Sequence, residues 1–306
     1  MLNNNQDKIF ITGACGFVGQ FLVKKLAESK SCSLILNCGN REKQERFKNR
    51  EYTNVDISDT ESVHSFFENH HPDHIIHLAA MARLSDGEQN PDEAFRTNFI
   101  GTKLLIEQAV KNKVKSFVFV SSDLVRNHQS AVGITKYLSE GFIQNMESCS
   151  TKLITVRLPN IARTPGSVHL IFERLINESK AITITHPDMS RRFISGDEAG
   201  EYIQFVLKHG TDRDTFVVNK EPEKITELAQ QMVSESGKEI EISYISMRPG
   251  EKLEEETYSD DEIEHTSFKD LALLLDIVPG STGMTRAIEL LKNKPGFSLN
   301  TEVVNL

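Results

Sequence analysis

The segment Thr12-Gly13-Ala14-Cys15-Gly16-Phe17-Val18-Gly19 spaces three glycines as a chain must to wrap a pyrophosphate. It follows an apolar run at residues 8–12 and opens a stretch whose Phe17, Val18, Phe21, Leu22 and Leu26 are spaced as on a helix. In that context Gly13 permits a tight turn, Gly16 lets the backbone approach the anion, and Gly19 lets helix and strand pack closely. The free N–H groups of the helix start complete an anion site, so the chemistry expected is dinucleotide binding. Asp56, at the end of a later apolar run, suits an adenine amino group, although Asp at a strand end also serves as a turn former. After the second run stand Asn37-Cys38-Gly39-Asn40-Arg41. A ribose 2′-hydroxyl calls for a carboxylate there and none is present, whereas Arg41 offers a charge-assisted pair to a 2′-phosphate. The cofactor expected is NADP or NAD, with NADP favoured; the alternative for Arg41 is a solvated loop residue.

Such a turn works only on a frame that presents it. Six runs rich in Ile, Val, Leu or Phe, at residues 8–12, 33–37, 52–57, 74–80, 116–122 and 153–158, alternate with helical periods. That order produces an α/β fold, a Rossmann doubly wound parallel sheet with helices on both faces. The near-continuous apolarity of the runs suits buried parallel strands. Beyond Asn160 the pattern loosens into an amphipathic stretch with Val168, Ile171, Phe172, Leu175 and Ile176, a strand at 181–185, a helix near 197–207 and a strand at 215–219. Two units are expected: residues 1–159 binding NAD(P), and residues 160–306 forming a smaller, partly interleaved substrate-binding lobe. Residues 259–264 are acidic and read as a short solvated loop.

With 38% hydrophobic residues, the 306-residue chain can bury a large core. A formal charge of −9 sets nucleic-acid binding aside, because neutralising phosphates takes clustered Lys and Arg. No apolar run approaches the roughly 20 residues of a membrane span, and residues 1–8 are polar, which makes the cytoplasm the expected location. Cys15, Cys32, Cys38 and Cys149 lack paired metal-ligand spacing, and a chain this long needs no disulfide staples. All four are expected as reduced, structural thiols. His70, His71, His74 and His77 stand close together without the carboxylate spacing of a zinc site, so no metal is expected. His77 reads as a hydrogen-bonded core residue.

The glycine spacing, His77-Leu78-Ala79-Ala80, Asn98-x-x-Gly101-Thr102 and Lys136 together resemble the extended short-chain dehydrogenase/reductase superfamily. Longer matches narrow the resemblance. Ser121-Ser122-Asp123 through Gly133-Ile134-Thr135-Lys136, Gly166-Ser167-Val168, Thr185-His186-Pro187-Asp188-Met189-Ser190-Arg191 and Arg248-Pro249-Gly250-Glu251-Lys252-Leu253 look like the UDP-N-acetylglucosamine 4,6-dehydratase group of polysaccharide biosynthesis. The resemblance covers nearly the whole chain. It implies a reaction that begins with hydride removal from sugar C4, acidifies the C5 proton and eliminates the C6 hydroxyl. It also implies a UDP-sugar substrate and a homodimer or higher homo-oligomer, packed through helices near residues 93–111 and 133–146.

Carried over residue by residue, the resemblance makes Asp123 a general acid or base and Ser122 the partner of the sugar C4 oxygen. Lys136 becomes the holder of the nicotinamide ribose. The cofactor set reads Gly13, Cys15, Gly16, Phe17, Val18, Gly19, Arg41, Asp56, Ile57, Leu78, Ala79, Ala80 and Lys136. On the substrate side stand Arg83, Asn160, Ser167, Val168, Arg191, Arg248 and Glu251, the arginines being suited to a diphosphate. Two departures matter. Relatives carry Tyr four residues before the Lys, and Val132 stands here; the dehydratases place Lys after the catalytic Asp, and Leu124 stands here. Neither Val nor Leu can move a proton. Three readings follow: a 4,6-dehydratase, a 4-epimerase or NADPH-dependent 4-ketoreductase, and a sugar-nucleotide-binding protein without turnover.

Overall fold

The computed structural model describes residues 6–29, 31–39, 47, 50–247, 253–254, 258–259, 261–275 and 281–299. Strands β1 (Asp7–Thr12), β2 (Cys32–Asn37), β3 (Glu51–Thr53), β4 (His74–His77), β5 (Ser116–Ser122) and β6 (Lys152–Leu158) form the first part of the sheet. Shorter strands follow: β7 (Asn160–Ile161), β8 (Ile182–Ile184), β9 (Ser190–Arg191), β10 (Phe193–Ile194), β11 (Thr215–Val218), β12 (Glu223–Lys224), β13 (Ile242–Tyr244), β14 (Ile263–His265) and β15 (Leu271–Leu274). Among the described residues a nine-stranded sheet runs β14-β15-β11-β6-β5-β4-β1-β2-β3. Its pairings are parallel from β3 through β11, and β15 and β14 close the far edge antiparallel. The strand order 3-2-1-4-5-6 reverses direction between β1 and β4, where an open α/β sheet leaves its ligand crevice.

Helices α1 (Phe17–Glu28), α2 (Thr60–Asn69), α3 (Leu84–Gln89), α4 (Pro91–Ala94), α5 (Gly101–Lys111) and α6 (Ala131–Asn145) connect the first strands, with a π-helical turn at Phe95–Ile100. Helices α7 (Val168–Asn177), α8 (Gly196–His209), α9 (Ile225–Ser236) and α10 (Ser281–Lys292) follow. One face of the sheet buries Leu22 and Val23 of α1 with Tyr202 and Ile203 of α8; the other buries Phe66 and Phe67 of α2 with Leu105 and Ile106 of α5. A separate core of Phe172, Ile176, Ile182, Ile184 and Ile225 joins α7, β8 and α9.

Two strands stop short of their apolar runs, for visible reasons. Beyond Thr53 the Asn37 amide takes over the pairing: its Nδ2 donates to Val55 O at 3.0 Å and its Oδ1 accepts from Val55 N at 2.8 Å. Beyond His77 the partner strand has ended at Thr12, whose carbonyl and Oγ1 accept from Leu78 N and Ala79 N. The acidic stretch at 259–264 is not simply a solvated loop. Ile263 is buried in β14, and Glu262 accepts from Ser259 and Arg126. Helix α6 buries eleven of its residues within this one chain, and Met284, Ala287 and Leu291 of α10 lie against its Ile134 and Leu138. The helices assigned by resemblance to a second copy are thus partly covered by the chain itself.

Candidate active site

The turn between β1 and α1 has the form its glycines require. Gly13 sits at φ +68°, and a Cβ there would lie 2.7 Å from Ala79 N; at Gly19 it would lie 2.5 Å from the Ala14 carbonyl. Gly16 N donates to Gly13 O at 2.8 Å, closing the turn. Gly16 caps α1 without a side-chain hydrogen bond, and the first turn holds no acidic residue. Its leading N–H groups and the helix dipole therefore face an incoming anion. A cradle that admits only glycine and ends in free amides fits a dinucleotide pyrophosphate.

From this turn a cavity of about 660 Å³ runs over the carboxyl ends of the strands. Gly13, Gly16, Phe17, Val18, Gly19, Leu78 and Ala80 line it together with Ser122, Asp123 and Lys136 and with Arg83, Asn160 and Arg191. Among the described residues four cationic side chains line it, Arg83, Arg126, Lys136 and Arg191, against the one carboxylate of Asp123, with Arg126 paired to Glu262 at 3.0 Å. On a chain with net charge −9 that local surplus marks a place for phosphates. The volume lies in the range of small-molecule sites.

Lys136 is buried, donates to Val120 O at 2.7 Å and lies 4.5 Å over the Phe119 ring. Burial pulls its amine down to about 8, with Glu140 acting in the other direction. Val132, one helical turn earlier, shares the cavity wall and packs toward Gly87 of α3. Ser122 Oγ accepts from Leu124 N at 3.3 Å and so caps the turn that carries Asp123. Ser121 is buried, lines the same wall, and its Oγ has no hydrogen-bond partner among the described residues. Behind the wall Arg157 pairs with Glu140 at 2.6 Å and donates to Tyr258 Oη at 3.0 Å.

Residues 9–275 match the family described as polysaccharide biosynthesis protein. The chain belongs to that family. The probable polysaccharide biosynthesis protein EpsC of Bacillus subtilis (strain 168) and the capsular polysaccharide biosynthesis protein CapD of Staphylococcus aureus are each 30% identical over 272 residues. Each match covers 83% of this chain and 45% of the relative, so the chain spans less than half the length of these relatives. Pen from Bacillus thuringiensis has the same fold at TM-score 0.79 and 30% identity, over 89% of this chain and 87% of that one. DesIV from Streptomyces venezuelae, a dTDP-glucose 4,6-dehydratase with NAD and TYD bound, shares the fold at TM-score 0.73 and 17% identity, over 93% and 97% of the two chains. The resemblance carried by the motifs holds at the level of family and fold.

Several expected site residues stand elsewhere. Asp56 is exposed, and its Oδ1 accepts from Ser58 N and Oγ at 2.9 and 2.7 Å, so its carboxylate shapes the entry to α2 as a turn former. Ile57 is buried and packs at Gly101 of α5. Ala79 lies behind the glycine turn with its N–H on Thr12. Ser167 N–H, expected to face a nucleotide, donates to Thr164 O at 2.8 Å, and neither Ser167 nor Val168 lines the cavity. Arg41, Arg248 and Glu251 lie outside the described residues. His77 has its ring nitrogens on Thr12 and Thr102 Oγ1 at 2.6 and 2.9 Å, and burial holds it neutral, with a value lowered to about 3. Asn98 is a buried clamp on the Met81 backbone and Thr135.

The expectation of four reduced cysteines is corrected. Cys15 and Cys38 form a disulfide, while Cys32 and Cys149 are free. A count of spacings along the chain could not show this, because parallel pairing of Thr12 with Asn37 is what brings the two residues together. Sequence reasoning also passed over Arg126, Asn127, Gln129 and Ser130 as cavity residues. They follow the end of β5, and the rule that ligands lie beyond the carboxyl ends of parallel strands was the signal available.

Proposed function

We propose that the chain is a cytoplasmic NAD(P)-dependent enzyme acting on a UDP-N-acetylhexosamine, of 4,6-dehydratase type, in the making of a surface-polysaccharide precursor. One observation carries this reading: a single cavity is lined by a glycine-only anion cradle, by Ser122, Asp123 and Lys136, and by Asn160 and Arg191. That set of groups suits a dinucleotide, a sugar and a second diphosphate held together. NADP stays ahead of NAD, since Asn37 at the end of β2 commits both amide atoms to Val55 and, among the described residues, no carboxylate stands at that strand end for a 2′-hydroxyl.

A bound oxidised nicotinamide supplies the acceptor for the C4 hydride. Lys136, with an amine near 8, takes the C4 hydroxyl proton in the role that Val132 cannot fill. Asp123 lifts the C5 proton and returns it to the departing C6 hydroxyl, which leaves as water, so one carboxyl serves both steps without a base at Leu124. Return of the hydride to C6, with the proton held by Lys136 passing to C5, completes a product one water lighter. Ser122 donates to the C4 oxygen, and Arg191 and Asn160 hold the diphosphate.

A 4-epimerase or 4-ketoreductase is the second reading. Leu124 favours it, because those reactions need no base at C5. Mass spectrometry of UDP-N-acetylglucosamine incubated with the protein and NAD or NADP separates the cases. A product one water lighter, absent with Asp123→Asn, supports dehydration; an isomer of unchanged mass, or reduction of a 4-keto sugar by NADPH, supports the second reading. No change with any of these substrates would leave a binding protein without turnover.

A further inference from the structure

Cys15 stands inside the glycine-rich turn, between Gly13 and Gly16, and Cys38 follows the last residue of β2. The register of β1 on β2 sets Thr12 beside Asn37, and Ala14 N donates to Asn37 O at 3.2 Å, so both residues emerge at the same end of the sheet. Their Cα atoms lie 5.4 Å apart and their sulfurs are bonded. Cys38 N in turn donates to Thr53 O at 3.4 Å. One covalent bond thus ties the phosphate-binding turn to β2, and through it to β3, directly beside Gly13 and Gly16 of the cavity wall. None of the proposed chemistry uses either sulfur.

We infer that Cys15 and Cys38 form a reversible dithiol–disulfide site that sets how tightly the dinucleotide is held, the bridged form being the tighter binder. The inference rests on the dinucleotide reading of the cavity. In the bridged form the turn already has its anion-binding shape, with Gly13 in the left-handed region and Gly16 N on Gly13 O. Cutting the bridge leaves α1 and β2 in the sheet and core but leaves the turn to backbone hydrogen bonds such as Ala14 N to Asn37 O, so binding must supply order that the bond had held. Oxidation proceeds by thiol–disulfide exchange with a low-molecular-weight disulfide. One cysteine thiolate attacks it and expels one thiol, and the second cysteine attacks the mixed disulfide and expels the other, so two thiols are oxidised as one disulfide is reduced. A small dithiol reverses the steps. Disulfides inside cells are mostly transient, catalytic or redox-sensing, in keeping with this role.

The test uses the full chain in a Cys32→Ser/Cys149→Ser background, equilibrated with oxidised or reduced glutathione, with the thiol state read by intact mass and NAD and NADP affinity by titration calorimetry. The bridged form is expected to bind at least about five-fold more tightly. Coupling is reciprocal, so saturating dinucleotide is expected to shift the dithiol–disulfide equilibrium toward the bridge by the same factor. Cys38→Ser, and separately Cys15→Ser, are expected to stay at the weaker affinity in either buffer. Equal affinity in both states, tighter binding by the reduced form, or a pair that does not interconvert in the folded protein would each overturn the inference. Absence of dinucleotide binding in both states would instead remove the reading of the cavity on which it rests.

Discussion

Lys136, the base of the proposed reaction, lies in an unfavourable environment, and role and environment have separable consequences. Its folded value near 8 lies below the ordinary 10.5, so the folded chain binds this proton less well than the unfolded chain. The stability cost is full below about pH 8 and shrinks as pH rises from there toward the unfolded value. Lys136→Met is therefore expected to raise Tm at pH 7 by a few degrees in calorimetry while abolishing turnover, as for other residues kept for function. A drop in Tm would show that the bond to Val120 outweighs the cost of burial. The neutral amine is the working base, so kcat/KM is expected to rise as pH rises through about 8. Lys136→Arg, charged throughout, is expected to keep dinucleotide affinity within a few-fold and to lose that rise together with turnover. The Lys136 position was legible from its motif, but its altered acidity was not, because that depends on burial beneath β5 and α6.

Helix α6 carries Val132 and Lys136, and strand β6 holds it in place through Arg157 and Glu140, both nearly inaccessible to solvent. Removing one partner strands the other charge in the interior, which costs about 3–5 kcal/mol. Glu140→Ala is accordingly expected to lower Tm sharply, whereas a change of less than a degree would mean that water or Tyr258 compensates Arg157. At this scale the parallel strands were legible, because strands covered on both faces read as continuous apolar runs. Their ends were not: the run at 52–57 is a strand only to Thr53, because the Asn37 amide takes over the pairing at Val55. The hairpin of β14 and β15 was missed because Glu262 and Glu264 masked the buried Ile263, which alone points inward in its strand.

In the whole molecule, the chain beyond Asn160 both builds the α7–β8–α9 core and returns to the main sheet through β11, β14 and β15. Helix α10 then buries Met284 against α6, its Sδ and Cε standing where a Cβ at Gly141 would be. Met284→Ala is expected to cost about 2–5 kcal/mol of stability, read as a lower denaturant midpoint, because the cavity it opens lies between two helices. Such closure of distant segments on one another is not readable from local periodicity. The central claim for the molecule is that its cavity brings a nicotinamide against a nucleotide sugar for hydride transfer. Rapid mixing of the NAD- or NADP-loaded protein with UDP-N-acetylglucosamine, followed by absorbance of the reduced nicotinamide, tests it most directly. A transient of reduced cofactor is expected, its appearance slowed by about 10²-fold or more in Lys136→Arg and its decay slowed to a similar degree in Asp123→Asn. Saturable binding of both ligands with no reduced nicotinamide on any UDP-hexose would contradict it.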